Sequence, residues 1–266
     1  MLLLKYVILG IIQGFTEPLP ISSSGHLRVI RSIFNDQVLS DLNFEIIANF
    51  GSLIAILFLY RKELVEIIKD FFMYIKTKQK KYKANYNYAW MIIIGTIPAG
   101  IAGLFLKDIL EKYFSTKVVG LMFIITALLL YICKDRRGYK TKETMTFKDA
   151  LVVGLFQVIA LIPGISRSGA TVFGGTQIDL NKETTVNYSF MLYIPISIAT
   201  MVLGVSDLVK SGNLSELFVP YSFSMIASAI VTYYSAKLFI NAFKNNKLIY
   251  FSIYCFILGI IVFMAF

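Results

Sequence analysis

The chain has 266 residues, of which 57% are hydrophobic and 16% are charged, and its formal net charge is +10. A soluble domain has about 25% charged residues, so the composition excludes an ordinary soluble protein and indicates a membrane protein with several spans. The Lys and Arg residues cluster between apolar segments, as in cytoplasmic loops. A membrane face is therefore the expected partner of this charge, and no nucleic acid is expected. The two cysteines lack metal-binding spacing and are interpreted as buried, inert thiols.

The N-terminal segment is predicted to be a broken helix. Residues 2–21 are apolar, but they contain Pro18 and Pro20. Proline removes a backbone donor and disfavours helix for the residue before it, so the helix should end near residues 16–19, at membrane depth. A short second helix is predicted at 25–34, with one of the three consecutive serines before it as the N-cap.

The remaining apolar runs predict six full membrane spans, at 44–60, 88–106, 117–133, 187–206, 219–243 and 247–266. Another apolar run, 149–163, also ends at a proline and leads into a polar stretch, 166–171. The basic loops lie at 61–87 and 134–148, with a short basic turn at 244–247. Their lysines are interpreted as solvated, and lipid headgroup binding is a minor alternative.

The positive-inside rule orients these elements. The three basic segments are predicted to be cytoplasmic, and the short mixed loop 107–117 and the nearly neutral loop 207–218 to be outside. With those sides fixed, residues 149–186 must enter and return on the cytoplasmic side. By the same logic, residues 1–43 enter and return on the outer side. Both broken segments are therefore predicted to be re-entrant.

An internal repeat supports this topology. At a constant offset of 144 residues, polar and glycine positions recur in pairs: Gly10 and Gly154, Gln13 and Gln157, Ser22 and Ser166, Ser24 and Ser168, Gly25 and Gly169. We predict an all-α integral membrane fold, with one domain, 1–266, made of two inverted-topology repeats, 1–143 and 144–266. Each repeat is a re-entrant helix pair plus three transmembrane helices, which gives ten helical pieces and six full spans. Such repeats place two broken segments face to face near the bilayer midplane.

The two broken segments together supply groups that suit phosphate chemistry. Arginine matches phosphate oxygens with two donors, and serine-rich turns that open helices bind anions. Histidine acts as acid or base near neutral pH, and a serine within its reach is a candidate nucleophile. This set fits phosphoryl transfer, in which positioning and charge neutralisation dominate. The residues are Glu17, Ser22, Ser23, Ser24, His26, Ser166, Arg167, Ser168 and Thr171.

Each of these residues also has a structural interpretation. The serines can simply cap the helix that begins near Gly25, His26 can be a satisfied structural histidine, and Gln13 can bridge helices. Arg167 is the hardest to explain structurally, because an unpaired arginine at membrane depth costs about 3 kcal/mol or more. Glu17 is then either a catalytic group or the counter-ion of that arginine.

These motifs resemble a known family. The sequence Gln13-x-x-x-Glu17, with Leu19-Pro20-x-Ser22-Ser23-Ser24-Gly25-His26 just after it, is similar to the first motif of the bacitracin-resistance type of undecaprenyl-diphosphate phosphatase. Its second motif is similar to Pro163-Gly164-x-Ser166-Arg167-Ser168-Gly169-Ala170-Thr171. The Phe44-Glu45 and Ser189-Phe190 segments also resemble the family, so the resemblance covers essentially the whole chain.

The resemblance implies a hydrolase in the bacterial cytoplasmic membrane, with its active site facing outside, that converts undecaprenyl diphosphate to the monophosphate carrier used in peptidoglycan synthesis. It implies catalytic roles for Glu17, Ser23, His26 and Arg167, and a supporting role for Gln13. It implies phosphate binding by Ser22, Ser24, Gly25, Ser166, Ser168 and Thr171. A divalent cation, Mg²⁺ or Ca²⁺, is implied by the resemblance alone, with Glu17 as its ligand.

Three positions depart from the family pattern. Gln13 stands where Glu is commoner, Pro18 where an aromatic or apolar residue is usual, and Ser24 where Thr is usual. The change at position 13 removes a carboxylate that could act as a metal ligand or base. The change at position 24 keeps the hydroxyl.

We expect Ser23 to attack the terminal phosphorus and His26 to take its proton, while Glu17 orients His26 or holds the metal. In the alternative, His26 activates water directly. The runner-up function is a polyprenyl-phosphate flippase or transporter on the same inverted-repeat scaffold, which would not need a nucleophile, a base and an arginine together. Membrane lipids are expected partners, and a homo-oligomer is compatible with the sequence.

Overall fold

The computed structural model describes residues 2–34, 42–113, 115–210 and 214–266. These residues form eleven α-helices and one short 3-10 helix, Lys80–Tyr82. The α-helices, in chain order, are α1 Leu2–Thr16, α2 Ser23–Phe34, α3 Leu42–Leu59, α4 Arg61–Thr77, α5 Lys83–Tyr113, α6 Thr116–Cys133, α7 Phe147–Ile159, α8 Arg167–Gln177, α9 Lys182–Lys210, α10 Leu214–Lys244 and α11 Leu248–Ala265.

Five stretches are long and apolar enough to cross a membrane: Lys80–Leu106, Thr116–Cys133, Lys182–Gly204, Leu217–Lys244 and Leu248–Ala265. A sixth candidate, Asn43–Leu59, leads into Arg61–Thr77 through a bend of 72°. Many large apolar side chains on these helices are exposed, which suits contact with lipid. The chain is therefore an integral membrane protein. Its described residues contain five candidate spans, or six if the bent pair counts as one, where six were predicted.

The connecting segments are more helical than the sequence predicts. The prediction of a loop at 61–87 is wrong, because α4 occupies most of it. Loops were also predicted at 107–117 and 207–218, but α5 continues to Tyr113, α9 continues to Lys210 and α10 begins at Leu214. Residues 114 and 211–213, in the middle of these two predicted loops, lie outside the described residues. The described part of the chain therefore has eleven α-helices where ten helical pieces were predicted.

The predicted breaks at the two polar stretches are confirmed. Helix α1 ends at Thr16, just before Pro18, and α7 ends at Ile159, four residues before Pro163. The other three prolines of the chain lie inside the long helices α5, α9 and α10. Neighbouring helices in a membrane protein can satisfy the backbone groups that such a proline frees. In this protein, proline therefore ends a helix only where other residues that disfavour helix lie next to it.

Each helix before a break packs tightly along one long helix. Helix α1 packs on α10, and α7 packs on α5. A Cβ at Gly10 would lie 2.4 Å from the Ser224 carbonyl oxygen, and one at Gly154 would lie 2.4 Å from the Gly95 carbonyl oxygen. Such close backbone approach through small residues is a common way to pack helices in membranes. This close packing positions the two helix breaks, because each break directly follows a helix that is held against a longer one.

Candidate active site

The two broken segments meet in the interior of the protein. The Ser168 hydroxyl, in the first turn of α8, donates to the Leu19 carbonyl oxygen at 3.1 Å. Leu19 itself is 1% exposed, and Ser168 is also buried. Residues that are about 150 positions apart in sequence are thus joined by a direct hydrogen bond. The prediction that the two polar stretches lie together is confirmed by this contact.

Glu17 and Arg167 form the ionic centre of the site. The Arg167 Nη2 atom lies 2.6 Å from the Glu17 Oε1 atom, and the two side chains are 20% and 12% exposed. Glu17 follows the last turn of α1, so Gln13 lies one turn earlier on the same face and donates its amide to Glu17 Oε2 at 2.9 Å. Arg167 is the first residue of α8. The predicted alternative in which Glu17 is the counter-ion of Arg167 is therefore confirmed by this contact.

The serine run places one hydroxyl on Glu17. Ser23 donates a short hydrogen bond to Glu17 Oε2. Ser22 has a positive φ of 66°, which is unusual for a residue with a side chain, and its hydroxyl accepts the Gly25 backbone N–H at 3.3 Å. This turn at Ser22 starts α2 and leaves Ser23 facing back toward α1. Ser24 is exposed, and its hydroxyl lies 3.5 Å from that of Ser22.

The second serine pair is mostly buried. Ser166 caps α8 by accepting the Gly169 N–H at 3.1 Å, and its hydroxyl lies 3.2 Å from that of Ser168. Thr171 is 1% exposed and pairs with the Ser189 hydroxyl at 2.6 Å. Of these residues, only Ser166 lines the cavity that opens over Glu17 and Arg167. Ser168 bonds to the turn that contains Leu19, and Thr171 joins α8 to α9. Phosphate binding by these two residues stays a prediction.

His26 points away from Ser23. Its Nδ1 atom lies 2.7 Å from the Ser22 carbonyl oxygen, and its Nε2 atom lies 2.7 Å from the Tyr254 hydroxyl on α11. The His26 ring also stacks on Tyr254, with centroids 5.7 Å apart, and meets Phe123 edge-on. Both ring nitrogens are therefore engaged, and neither contacts the predicted nucleophile. Its predicted role as a base stays a prediction that these contacts do not support.

A cavity of about 330 Å³ opens over this centre. Its polar lining includes seven of the predicted site residues: Gln13, Glu17, Ser22, Ser23, Ser24, Ser166 and Arg167. Its apolar walls come from Leu27, Ile46, Ala160 and Ile165. A volume of this order suits a small polar headgroup. Gly25, whose N–H is bonded to Ser22, is absent from this lining, as is His26.

Three polar residues of the cavity wall were missed from the sequence: Glu45, Asn49 and Thr200. Asn49 and Glu45 are polar side chains inside the predicted span 44–60, and that rarity was a usable signal. Thr200 gave none, because threonine is common in membrane helices. Glu45 is paired with Arg31 of α2, whose Nη2 atom lies 2.5 Å from Glu45 Oε1.

Tyr193 packs its ring against the Arg167 guanidinium, and the sequence did not predict this residue as part of the site. The Arg167 Cζ atom lies 3.9 Å from the centroid of the Tyr193 ring, a cation–π contact. The Tyr193 hydroxyl donates to Asn49 Oδ1 at 2.9 Å, and Tyr193 is 3% exposed. Arg167 Nη1 is buried and has no hydrogen-bond partner among the described residues. Because an unpaired buried donor is costly, this atom is well suited to a ligand oxygen.

The donor set does not fit a preformed metal cage. The described residues contain no group of three or more His, Cys, Asp and Glu side chains placed to hold an ion. Glu17, the predicted ligand, already accepts from Arg167, Gln13 and Ser23. Position 13 offers an amide, and Glu45 is paired with Arg31. Mg²⁺ and Ca²⁺ need several oxygen ligands, and the described side chains alone do not supply such a set. The divalent cation stays a prediction.

The fold and the cavity together define the class of protein. Membrane helices enclose a polar cavity between two broken segments, with an arginine, hydroxyls and two helix N-termini around it. Such donors match the oxygens of an anion such as phosphate. The molecule is thus an integral membrane protein with a polar cavity suited to an anion. The chain belongs to the bacitracin resistance protein family, BacA, whose sequence model matches residues 6–261.

Curated relatives align over nearly their whole length. The chain is 40% identical over 264 residues to undecaprenyl-diphosphatase 1 of Bacillus licheniformis, which covers 98% of this chain and 97% of the relative. It is 42% identical over 260 residues to undecaprenyl-diphosphatase 2 of Bacillus thuringiensis, with 97% and 96% covered. Undecaprenyl-diphosphatase 1 of Halalkalibacterium halodurans is 39% identical over 262 residues, with 98% and 95% covered. The family resemblance predicted from the motifs is confirmed.

Proposed function

We propose that this chain hydrolyses undecaprenyl diphosphate to undecaprenyl phosphate and inorganic phosphate, and so recycles the lipid carrier for peptidoglycan synthesis. The observation that carries the proposal is the contact series Ser23–Glu17–Arg167 at one cavity of a BacA family member. A hydroxyl, a carboxylate and a guanidinium in contact are the groups that phosphoryl transfer needs. Relatives at about 40% identity carry the name undecaprenyl-diphosphatase.

The geometry favours Glu17 as the group that receives the Ser23 proton. Glu17 Oε2 accepts the hydrogen bond of the Ser23 hydroxyl. As the Ser23 oxygen bonds to the terminal phosphorus, the proton passes to Glu17 and the bridging P–O bond breaks, which releases undecaprenyl phosphate. Water then attacks the phosphoserine: one of its protons stays on the released inorganic phosphate and the other leaves to solvent, while Glu17 returns the first proton to Ser23. Arg167 Nη1 and the N-termini of α2 and α8 stabilise the negative charge.

His26 then has a positioning role in this proposal. Its Nδ1 atom is hydrogen-bonded to the carbonyl oxygen of Ser22. Ser22 has a positive φ and directly precedes Ser23. Its ring stacks against Tyr254 of α11. Both contacts fix the start of α2, and thus the direction of the Ser23 side chain. The alternatives in which His26 takes the proton, or activates water directly, require its imidazole to leave these two partners.

We further propose that the fold is two inverted repeats, 1–143 and 144–266, in the bacterial cytoplasmic membrane. Support comes from equivalent positions: Ser22 and Ser166 each cap the following helix, and α2 and α8 begin at the same offset of 144 residues. Helix α1 packs on α10 of the other repeat, and α7 packs on α5. The basic segments 61–87 and 134–148 are then cytoplasmic, and the cavity faces outside.

Release of phosphate by the purified protein is the direct test. We expect the protein, in detergent, to release one inorganic phosphate per undecaprenyl diphosphate, and to leave undecaprenyl phosphate as the lipid product. A chelator series on the same preparation would decide whether Mg²⁺ or Ca²⁺ contributes. The flippase alternative has no support in the comparisons, and it predicts lipid movement across vesicles with no phosphate released.

Tyr193 offers a test of how Arg167 is held. We expect Tyr193→Leu to lower kcat/KM about 30-fold, because a desolvated cation–π contact contributes about 2 kcal/mol. Tyr193→Phe keeps the ring and should stay within about threefold of the native enzyme. Tyr188→Phe is the matched control, since it removes another buried hydroxyl, bonded to the Met91 carbonyl oxygen at 2.6 Å. Equal losses in the Phe and Leu variants of Tyr193 would instead assign the effect to its bond with Asn49.

A further inference from the structure

Helix α4 is unlike the other long helices of the protein. Seven of the seventeen residues of Arg61–Thr77 are charged, which is too many for a membrane span. It leaves the apolar helix α3 at an angle of 72°. If α3 crosses the bilayer near its normal, α4 runs close to the membrane plane. The helix therefore has the direction of an interfacial helix.

The outward face of α4 carries an apolar ridge. Residues three and four apart share one side of a helix, and the members of this ridge follow that spacing. All four are exposed although large and apolar: Val65 65%, Ile68 56%, Phe72 64% and Ile75 48%. Nothing in the described chain covers them, and this pattern is typical of a helix that inserts one face into the acyl boundary.

A row of lysines runs beside the ridge. Lys62, Lys69 and Lys76 are spaced by seven residues, or two helical turns, so they lie on nearly one line about 10 Å apart. All three are exposed. On a helical wheel they lie next to Val65 and Phe72. The row is therefore placed at the depth of the phospholipid headgroups when the ridge lies in the acyl boundary.

Two of the three acidic residues of α4, Glu66 and Asp70, reach Asn85 of α5. Asp70 Oδ2 accepts a hydrogen bond from Asn85 Nδ2 of α5 at 2.6 Å, and Glu66 Oε1 lies 3.5 Å from the same nitrogen. Tyr86 of α5 stacks on Phe71, with centroids 5.1 Å apart. These contacts fix the rotation of α4 about its axis. Asp70 is consequently held against α5, while the exposed Glu66 lies beside the lysine row, whose three cations outnumber it.

We infer that the ridge and the lysine row of α4 form a binding surface for anionic phospholipids of the membrane leaflet that α4 faces. The apolar ridge enters between acyl chains, and each lysine of the row neutralises one headgroup phosphate. Near a membrane surface, a lysine contributes about fivefold to binding of anionic lipid over a neutral one. The surface is separate from the cavity at Glu17, so the inference does not depend on the proposed phosphatase activity.

A tryptophan reporter on the ridge tests this surface. The chain has a single tryptophan, Trp90, so Trp90→Phe with Phe72→Trp moves the only reporter onto α4. The full-length protein is placed in bilayers that contain brominated phosphatidylglycerol or brominated phosphatidylcholine, and fluorescence quenching gives the relative association of the two lipids. A second reporter protein, Trp90→Phe with Phe256→Trp, samples an exposed position on α11.

We expect phosphatidylglycerol to be favoured about fivefold or more at position 72 and about equally with phosphatidylcholine at position 256. Replacing the lysine row, with Lys62→Gln, Lys69→Gln and Lys76→Gln, should remove the preference at position 72. Matched loss of charge elsewhere, with Lys117→Gln, Lys237→Gln and Lys247→Gln, should preserve it. A preference that survives loss of the row, an equal preference at both reporters, or no lipid quenching at position 72 would each overturn the inference.

Discussion

Changing Glu17 to Gln lowers the rate of phosphate release by about 10²–10⁴-fold, the usual contribution of a positioned general base. The amide keeps the shape of the side chain and can still accept from Arg167, but it cannot take the Ser23 proton. Ser23→Ala removes the nucleophile and should reduce turnover to background. Initial rates of phosphate release from undecaprenyl diphosphate, measured in detergent under saturating substrate, provide the comparison.

The covalent step gives a second readout. Acid quenching during turnover should trap a phosphate on the peptide that contains Ser23 in the native enzyme, and mass spectrometry detects it. Ser23→Ala should show none. Ser24→Ala is the matched control, because Ser24 is exposed at the same cavity and its hydroxyl contacts only that of Ser22 among the described residues. We expect it to keep activity within about tenfold and to keep the trapped phosphate.

His26→Gln separates the two assignments of the base. If Glu17 receives the proton, loss of His26 weakens only the hold on Ser22, and we expect at most about a tenfold decrease. If His26 is the base, its loss should match that of Ser23→Ala, and Glu17→Gln should be the milder change. Equal and complete loss in both variants, with normal thermal stability, would contradict the simple division into a base and a positioning residue.

Local chemistry explains what could be predicted from the sequence. The prolines and serine runs dictate where helices stop and start, because a missing donor and an N-cap act within a few residues. The breaks after α1 and α7 were predicted on that basis and are confirmed. The internal offset of 144 residues then brought Ser23 and Arg167 to equivalent positions. The predicted repeat placed the two polar segments face to face, and in the structure Ser23 and Arg167 both contact Glu17.

The direction of His26 could not be predicted in this way. It lies three residues after Ser23 on the same helix, so a local argument makes the two side chains neighbours. In the structure, Ser23 faces α1, while His26 faces Tyr254, which is 228 positions away in the sequence. Tyr193 is similar, since nothing marks it among 16 tyrosines. The direction of His26 and the contact of Tyr193 with Arg167 both depend on packing between residues far apart in sequence. Such packing cannot be inferred from local patterns in a single sequence.

The missed helix α4 has a different cause. Its charges suggested a solvated loop, and its apolar residues are too few for a span. The periodicity of Val65, Ile68, Phe72 and Ile75 was nevertheless visible in the sequence. For a membrane protein, a basic segment with this spacing indicates an interfacial helix instead.

Replacing Arg167 with Lys should lower kcat/KM about 10²–10³-fold, which is the typical cost of losing one preorganised donor to transition-state charge. The guanidinium uses Nη2 for Glu17 and leaves Nη1 buried without a partner in the described chain. Lysine can keep the bond to Glu17, but it lacks the rigid fork that reaches a second oxygen. It also loses the flat cation that stacks on Tyr193.

Arg167→Ala is expected to abolish turnover, but it also threatens folding. Removing one partner of a buried ion pair leaves an uncompensated charge and costs about 3–5 kcal/mol. The double variant Arg167→Ala with Glu17→Gln removes that charge, so its thermal stability should recover while its activity does not. Recovery of stability without activity separates phosphate binding from the support that the pair gives to the fold.

Arg31→Lys provides the matched control for Arg167→Lys. Arg31 also pairs with a carboxylate, Glu45, beside the same cavity, with the two side chains 24% and 34% exposed. A partly exposed pair contributes little, so its kcat/KM should stay within about threefold of the native value. If Arg167→Lys changed activity as little as Arg31→Lys, the free Nη1 atom would not be the donor that binds the phosphate. A positive charge at position 167, which lysine keeps, and the helix N-termini would then be sufficient to neutralise the diphosphate.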